Sequence, residues 1–250
     1  MKRIFTLCCV LFMALPAIAE DGYRLWLRYD PLENNARLAE YRSVFNDIKV
    51  YGNTPVLSAA REELQLGVYG MLGRRHAHEK KLVMAGTGNI AEFAKYKLQE
   101  KLQQAGEEGF VISSVPNGIV ITANSDKGVL YGVFHFLRLL QTQQPVKNLS
   151  IVSKPRVQHR LLNHWDNLNR TVERGYAGAS IWDWHRLPGY IDPRYKDYAR
   201  ANASVGINGT ALTNVNANAL ILTKQYLEKV AALANVFRPY GIKVYLTARF

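Results

Sequence analysis

The sequence predicts an α/β fold: a small N-terminal α/β sandwich domain, followed by the first three βα units of a truncated (β/α)8 barrel. Strand-like and helix-like patterns alternate up to residue 154, and a hairpin signal lies within that region. Beyond it, three strand, loop and helix steps recur about every 40 residues. We therefore expect a signal peptide at 1–19, an N-terminal domain at 20–154 and an incomplete barrel at 155–250.

Local patterns predict each element of the first domain. The predicted strands cover 23–29, 48–50, 81–85, 110–115 and 119–123, and the predicted helices cover 33–45, 55–72, 91–102 and 128–140. Thr54 and Pro55 are a typical cap and first residue of a helix, and Asp126 is the predicted cap of the last helix. The connector Pro116-Asn117-Gly118 contains the Asn-Gly turn signal of a hairpin.

The second region has a different rhythm of short strands, long loops and helices. Strands are predicted at 158–164, 206–212 and 242–248, and helices at 193–204 and 220–240. A complete barrel of this class takes roughly 250 residues, so residues 155–250 would supply only its opening.

The N-terminus has the pattern of a secretory signal. Lys2 and Arg3 precede an apolar run at 4–15, and Ala17-Ile18-Ala19 gives a small-residue cleavage site. The run is too short to span a bilayer. We expect an exported protein, periplasmic, at the cell surface or extracellular, without a membrane span. Cys8 and Cys9 both lie in this signal, so no disulfide or thiolate chemistry is expected after its removal.

Charge and motifs argue against several partners. The formal net charge is +12, but the basic residues are scattered, so no nucleic-acid partner is predicted. Gly86-Thr87-Gly88 lacks the further residues of a phosphate-binding fingerprint and is interpreted as a tight turn before a helix. His76 and His78 have metal-ligand spacing but lie in a charged turn. Neither a cofactor nor a metal is expected.

The candidate site is at the ends of the predicted barrel strands, where barrel enzymes place their active sites. An indole, a carboxylate and amides meeting there are suited to binding a sugar, which presents hydroxyls and an apolar face. The predicted substrate-binding residues are Trp165, Asp166, Asn214, Val215 and Asn216.

Plainer interpretations stand beside this one. Trp165 could be a core tryptophan, His164 a buried and hydrogen-bonded histidine, and Asp166 a cap. The asparagines around 202–218 could mainly satisfy loop backbone.

Catalytic carboxylates are not found at the predicted strand ends. Hydrolysis of a glycoside needs two carboxyl groups that flank the bond. Asp166 is accompanied only by Glu173 and Asp183 in a long loop, so no catalytic residue is assigned within the sequence. We expect the acid and base beyond Phe250, and we expect the 250-residue chain alone to be inactive.

Several stretches resemble the α-glucuronidases of glycoside hydrolase family 67. They are 21–29, 128–138, 161–168 (LLNHWDNL), 173–178 (ERGYAG), 198–210 (YARANASVGINGT) and 214–217 (NVNA). Asn169-Arg170-Thr171 departs from the Asp-Gly-Ser-like turn expected in that family.

The resemblance implies release of (4-O-methyl)-glucuronic acid, with inversion, from xylo-oligosaccharides that carry it. It also implies that Trp165 and Val215 line the glucuronate pocket, and that later strands supply the catalytic carboxylates and the residues binding the sugar carboxylate. A homodimer formed through a C-terminal region absent from this sequence is left open. The alternatives are a hexosaminidase-like hydrolase and a non-catalytic sugar-binding protein built from the same domains.

Overall fold

A computed structural model describes residues 22–74 and 80–249. The predicted signal peptide, the His76 and His78 pair and Phe250 lie outside these described residues. Among the described helices, none is both long enough and apolar enough to cross a membrane.

The described chain contains six α-helices and eight strands. The helices are α1 (Asn35–Val44), α2 (Pro55–Leu72), α3 (Gln99–Ala105), α4 (Asp126–Gln141), α5 (Pro193–Ser204) and α6 (Lys224–Phe237). The strands are β1 (Asp47–Val50), β2 (Leu82–Thr87), β3 (Phe110–Val115), β4 (Gly118–Ala123), β5 (Ser150–Ser153), β6 (Leu161–Asn163), β7 (Gly209–Ala211) and β8 (Lys243–Tyr245). Short 3-10 helices lie at Ala91–Tyr96, Ala219–Leu222 and Arg238–Tyr240. The predicted α/β class is confirmed.

The first sheet is mixed, with strand order β1-β2-β4-β3-β5. β1, β2 and β4 are parallel, whereas β3 is antiparallel to both of its neighbours. β5, a four-residue edge strand, was not predicted from the sequence.

Local signals predicted the helix α2 and the hairpin correctly. Oγ1 of Thr54 accepts the backbone N–H of Leu57, and Pro55 is the first helical residue, as expected from their sequence. Gly118 follows the two-residue turn with φ 129°, and a Cβ there would lie 2.1 Å from the carbonyl oxygen of Leu82. Only glycine is accommodated at this position.

The predicted strand at 23–29 is wrong. This segment is a turn followed by irregular chain, because Leu25 and Tyr29 have positive φ values of 50° and 55°. Its alternating pattern has another origin: Leu27 and Tyr29 are buried, and the indole N–H of Trp26 donates to Oγ of Ser204 at 2.8 Å. The segment thus anchors the chain across the molecule.

Three further local predictions need correction. The predicted helix at 91–102 is interrupted at Lys97, whose φ of 54° separates a 3-10 helix from α3. Ser125, not Asp126, caps α4, because its hydroxyl accepts the backbone N–H of Gly128. Gly86 and Thr87 belong to β2, so the predicted tight turn begins only after that strand.

The second sheet consists of β6, β7 and β8, parallel and in chain order. Its strands are three residues long, shorter than predicted. Before the ladder, the side chain of Asn208 adds to the backbone pairing. The backbone N–H of Asn208 donates to the carbonyl of Arg160 at 3.0 Å, its Oδ1 accepts the N–H of Arg160, and its Nδ2 donates to the carbonyl of Gln158. These bonds align the beginnings of β6 and β7.

One continuous hydrophobic cluster connects the two sheets. From the first region it includes Leu64 and Phe136, and from the second Trp182, Tyr195 and Phe237. Trp182 is fully buried and contacts the rings of Tyr195, Tyr198 and Phe237 at centroid distances of 5.1–5.7 Å. The loop preceding α5 is therefore held in the core by its aromatic residues.

Two charged clusters also bind the regions together. Glu63 of α2 accepts hydrogen bonds from Nε and Nη2 of Arg200 at 2.7 and 2.8 Å. Burial alone would lower the pKa of Arg200, but its bonds to Glu63 raise it. Glu108 is paired with Lys127, with Arg160 at 2.7 Å and with Asn208 at 3.0 Å.

Candidate functional site: the carboxyl ends of the second sheet

The loops that follow β6, β7 and β8 are tied together by backbone hydrogen bonds. The N–H of His164 donates to the carbonyl of Ala211 at 3.0 Å, and that of Asn214 donates to the carbonyl of Asp166 at 2.8 Å. The N–H of Arg249 donates to the carbonyl of Ala217 at 2.9 Å. These bonds bring the predicted site residues 165–166 and 214–216 together at the carboxyl end of the second sheet, with Arg249 beside them. We call this edge of the sheet the rim.

Three of the five predicted residues present side chains to the open side of this rim. Trp165 is 46% exposed and Val215 is 50% exposed, and Asn216 is also exposed. The indole is accessible in the described chain, as are the side chains of Leu161 and Leu162 in the strand before it. An aromatic face, an aliphatic group and an amide are thus accessible at the ends of neighbouring parallel strands.

Asp166 is placed differently from Trp165. It is 3% exposed, and its Oδ2 accepts a hydrogen bond from the hydroxyl of Ser180. Its Oδ1 lies 3.5 Å from Nδ1 of His164. Because the carboxylate is directed into the protein, Asp166 holds the loop rather than opening onto the rim.

Asn214 is also buried, and its side chain shapes the second loop. Its Oδ1 accepts the N–H of Asn216 at 2.9 Å, and its carbonyl accepts the hydroxyl of Thr247 at 2.8 Å. This turn fixes the exposed side chains of Val215 and Asn216 on the rim.

A polar chain runs beneath the rim from Asp166 to β7. Nε2 of His164 lies 2.7 Å from Oη of Tyr198, which lies 2.9 Å from Oγ1 of Thr210. Burial, reinforced by the charge of Asp166, raises the pKa of Tyr198 to about 12, so its phenol stays protonated at neutral pH. His164 is thus hydrogen-bonded and partly buried, in agreement with the plainer of its two interpretations.

A compact hairpin rises from the first loop; we call residues 165–180 the rim hairpin. The N–H of Glu173 donates to the carbonyl of Trp165 at 2.8 Å, and Nδ2 of Asn167 donates to the carbonyl of Glu173 at 2.8 Å. The hydroxyl of Ser180, which binds Asp166, also accepts the N–H of Trp182. Sequence reasoning missed Ser180 and Tyr198, because no local spacing relates them to the strand end.

The described residues do not place two free carboxylates at the rim. Oδ2 of Asp183 accepts from Arg170 at 3.0 Å and its Oδ1 accepts two backbone N–H groups, while the Asp166 carboxylate is buried. Within the described ranges, no group of three or more His, Cys, Asp or Glu side chains could hold a metal ion.

Comparison with solved structures finds proteins of similar fold. A GH138 enzyme targeting pectin rhamnogalacturonan II superposes with a TM-score of 0.52 at 15% identity, covering 80% of this chain and 24% of the other. CpGH84D superposes with a TM-score of 0.52 at 14% identity, covering 81% of this chain and 34% of the other. At such low identity the likeness concerns the fold.

Comparison with protein sequences identifies the family to which the chain belongs. The model of the glycosyl hydrolase family 67 N-terminus matches residues 25–136, and that of the family 67 middle domain matches residues 139–250. A probable alpha-glucuronidase A from Aspergillus terreus is 37% identical over 93% of this chain. Alpha-glucuronidase A from Emericella nidulans is 32% identical over 99% of it, and an alpha-glucuronidase from Hypocrea jecorina is 32% identical over 98%. The chain belongs to glycoside hydrolase family 67.

The chain spans about three-tenths of the length of these relatives, which it covers to 28%, 30% and 31%. The resemblance that the sequence motifs indicated is confirmed over both regions of the chain.

Proposed function

We propose that these residues form the N-terminal part of an inverting α-glucuronidase that releases (4-O-methyl)-glucuronic acid from xylo-oligosaccharides. The observation that carries the proposal is the exposure of Trp165 and Val215 on one hydrogen-bonded rim. Membership of family 67 and the alpha-glucuronidase names of the relatives support it.

In this proposal, Trp165, Val215 and Asn216 touch the sugar. The indole packs on the apolar face of the glucuronosyl ring, and the Val215 side chain contacts its 4-O-methyl group. The amide of Asn216 hydrogen-bonds ring hydroxyls. Asp166 and Asn214 do not contact the sugar in this proposal; their side chains stabilise the conformations of the two loops.

The architecture proposed for the whole protein is a sandwich domain at 20–154 followed by a (β/α)8 barrel that begins at 155. The separation of the two sheets between β5 and β6 supports this division, as does the parallel chain-order pairing of the second sheet. The charged clusters and the shared core fix the two regions against each other.

The catalytic pair is proposed to lie beyond Phe250. Of the carboxylates near the described rim, Asp166 is buried and Asp183 is bonded to Arg170, which leaves Glu173 without a second carboxylate to act with. Hydrolysis with inversion requires an acid and a base on opposite sides of the bond. Residues 22–249 would then bind and orient the sugar, and the 250-residue chain alone would not hydrolyse it.

Export is part of the proposal, supported by the N-terminal sequence pattern. The proposed partner is a glucuronic-acid-substituted xylo-oligosaccharide, to which the scattered positive charge of the chain is favourable. A nucleic-acid partner is not proposed. A measurement of the molecular mass of the full-length protein in solution tests whether it is a homodimer.

The activity is tested by incubating the full-length protein with aldotetraouronic acid and measuring free (4-O-methyl)-glucuronic acid. Release of the acid supports the proposal. Cleavage of an N-acetylhexosaminide instead would favour the hexosaminidase alternative, and binding without cleavage of either substrate would favour the non-catalytic one.

A further inference from the structure

Tyr176 stands out on the surface of the described chain. At 77% exposure it is the most exposed of the described large apolar side chains. In the described part of the protein, no hydrogen bond or ring contact involves its phenol. Single exposed apolar residues are common, so exposure alone indicates nothing. The inference rests instead on the position of Tyr176 at the tip of the rim hairpin.

The rim hairpin places Tyr176 at a hydrogen-bonded tip. The N–H of Val172 donates to the carbonyl of Gly178 at 3.3 Å, and the N–H of Gly175 donates to the carbonyl of Val172 at 2.9 Å. Bridges between Asp166 and Val172, and between Thr171 and Ala179, secure the base. Hydrogen bonds that order a loop before a ligand binds reduce the conformational entropy lost on binding, which favours the use of such a loop as a binding loop.

The tip lies beside the proposed sugar pocket. Glu173 is bonded to the backbone of Trp165, and the three residues from Glu173 to Tyr176 can reach at most about 10 Å. The backbone of Tyr176 therefore lies close enough to the proposed pocket for a sugar chain bound at Trp165 to reach its ring. A flat ring that needs few rotamers to be fixed is well suited to stack against pentose rings.

We propose that Tyr176 is a stacking platform for the xylosyl units that carry the glucuronosyl group, and hence a determinant of preference for longer oligosaccharides. This inference rests on the proposed function, because it presumes that the pocket at Trp165 takes the glucuronosyl ring.

Tyr190 offers a matched control within the same long loop. It is also exposed, at 42%, but the guanidinium of Arg186 lies 3.8 Å from its ring centroid and covers one face. Tyr190→Ala removes the same type of side chain, but one whose ring face is already covered by Arg186 and is not free to stack on a sugar.

The test compares the full-length wild type, Tyr176→Ala, Tyr176→Phe and Tyr190→Ala on two substrates. Aldobiouronic acid carries a single xylose, and aldotetraouronic acid carries a longer chain. For Tyr176→Ala, KM should rise about ten-fold on the longer substrate only, with kcat unchanged, since stacking that persists in the transition state is uniform binding. Tyr176→Phe and Tyr190→Ala should behave as wild type. An equal KM for Tyr176→Ala and wild type on the longer substrate overturns the platform.

Calorimetric titration with unsubstituted xylotetraose separates failure of the platform from failure of the proposed function. If wild type releases no glucuronic acid, the proposed function fails. The platform is still supported if Kd for xylotetraose weakens about ten-fold in Tyr176→Ala but not in Tyr190→Ala. It is overturned if wild type does not bind xylotetraose or if both variants bind equally.

Discussion

The buried pair of Glu63 and Arg200 should dominate the stability of the contact between the two regions. The Glu63 side chain is 4% exposed and that of Arg200 is 16% exposed. Glu63 receives two hydrogen bonds from the guanidinium and a third, at 2.5 Å, from the phenol of Tyr29. Burial, with the nearby Glu63 charge, raises the pKa of Tyr29, which therefore remains a donor.

Glu63→Gln removes the negative charge with almost no change of shape. It leaves the guanidinium of Arg200 largely buried without a counter-ion, and breaking one partner of a buried pair costs about 3–5 kcal/mol. For a chain of this size, each kcal/mol lowers Tm by about 2–4 °C. The expected loss is therefore about 6–20 °C in Tm.

The assay is thermal and urea unfolding of the 250-residue chain at neutral pH, with Glu62→Gln as the control. Glu62 is the neighbouring residue, but its side chain is 66% exposed and forms a surface pair with Lys196 at 3.4 Å. Its loss should cost less than about 1 kcal/mol. Adding Arg200→Met to Glu63→Gln should cost less than the sum of the single changes, since the unpaired charge disappears. Equal stability of the Glu62 and Glu63 variants would refute the assignment of Glu63 and Arg200 as a buried, coupled pair.

Two further predictions concern acid stability and export. Burial would raise the pKa of Glu108, but hydrogen bonds from Lys127, Arg160 and Asn208 prevail and lower it to about 2. The unfolded chain therefore binds a proton first as the pH falls below about 4.5, so about 3 kcal/mol of stability is present above that pH and lost towards pH 2. Glu108→Gln should flatten this part of the pH profile of unfolding free energy, whereas the control Glu107→Gln, at an exposed position, should leave it unchanged. An unchanged profile in Glu108→Gln would contradict the assignment of Glu108 to a stabilising charged cluster. For export, N-terminal sequencing of protein from the native host should begin at or near Glu20, and an intact Met1 on material outside the cytoplasm would refute it.

Much of the fold was predictable because its signals are local. The Thr54-Pro55 cap and the turn before Gly118 are each specified by a few adjacent residues, so helix α2 and the hairpin were located closely. The segment 23–29 was not, because its positive φ values at Leu25 and Tyr29 accompany burial against distant residues. Tertiary contacts overrode a strand-like pattern there.

The positions of the candidate site residues were predictable in part. The ends of the strands indicated where Trp165 and Val215 lie, since parallel strands end on one face. The orientation of the Asp166 carboxylate was not predictable, because it depends on Ser180, a residue 14 positions away, and on His164. Long-range hydrogen bonds decide which side chains of a strand end remain available to a ligand.

The proposal that Trp165 binds the glucuronosyl ring is tested most directly by Trp165→Ala in the full-length protein. If the indole contacts the sugar and not the core, Tm should change by only a few degrees. Loss of the apolar contact and of positioning should lower kcat/KM on aldotetraouronic acid by about 30- to 1000-fold, or about 2–4 kcal/mol of transition-state binding. A large fall in Tm with unchanged kcat/KM would assign Trp165 to the core and remove it from the site.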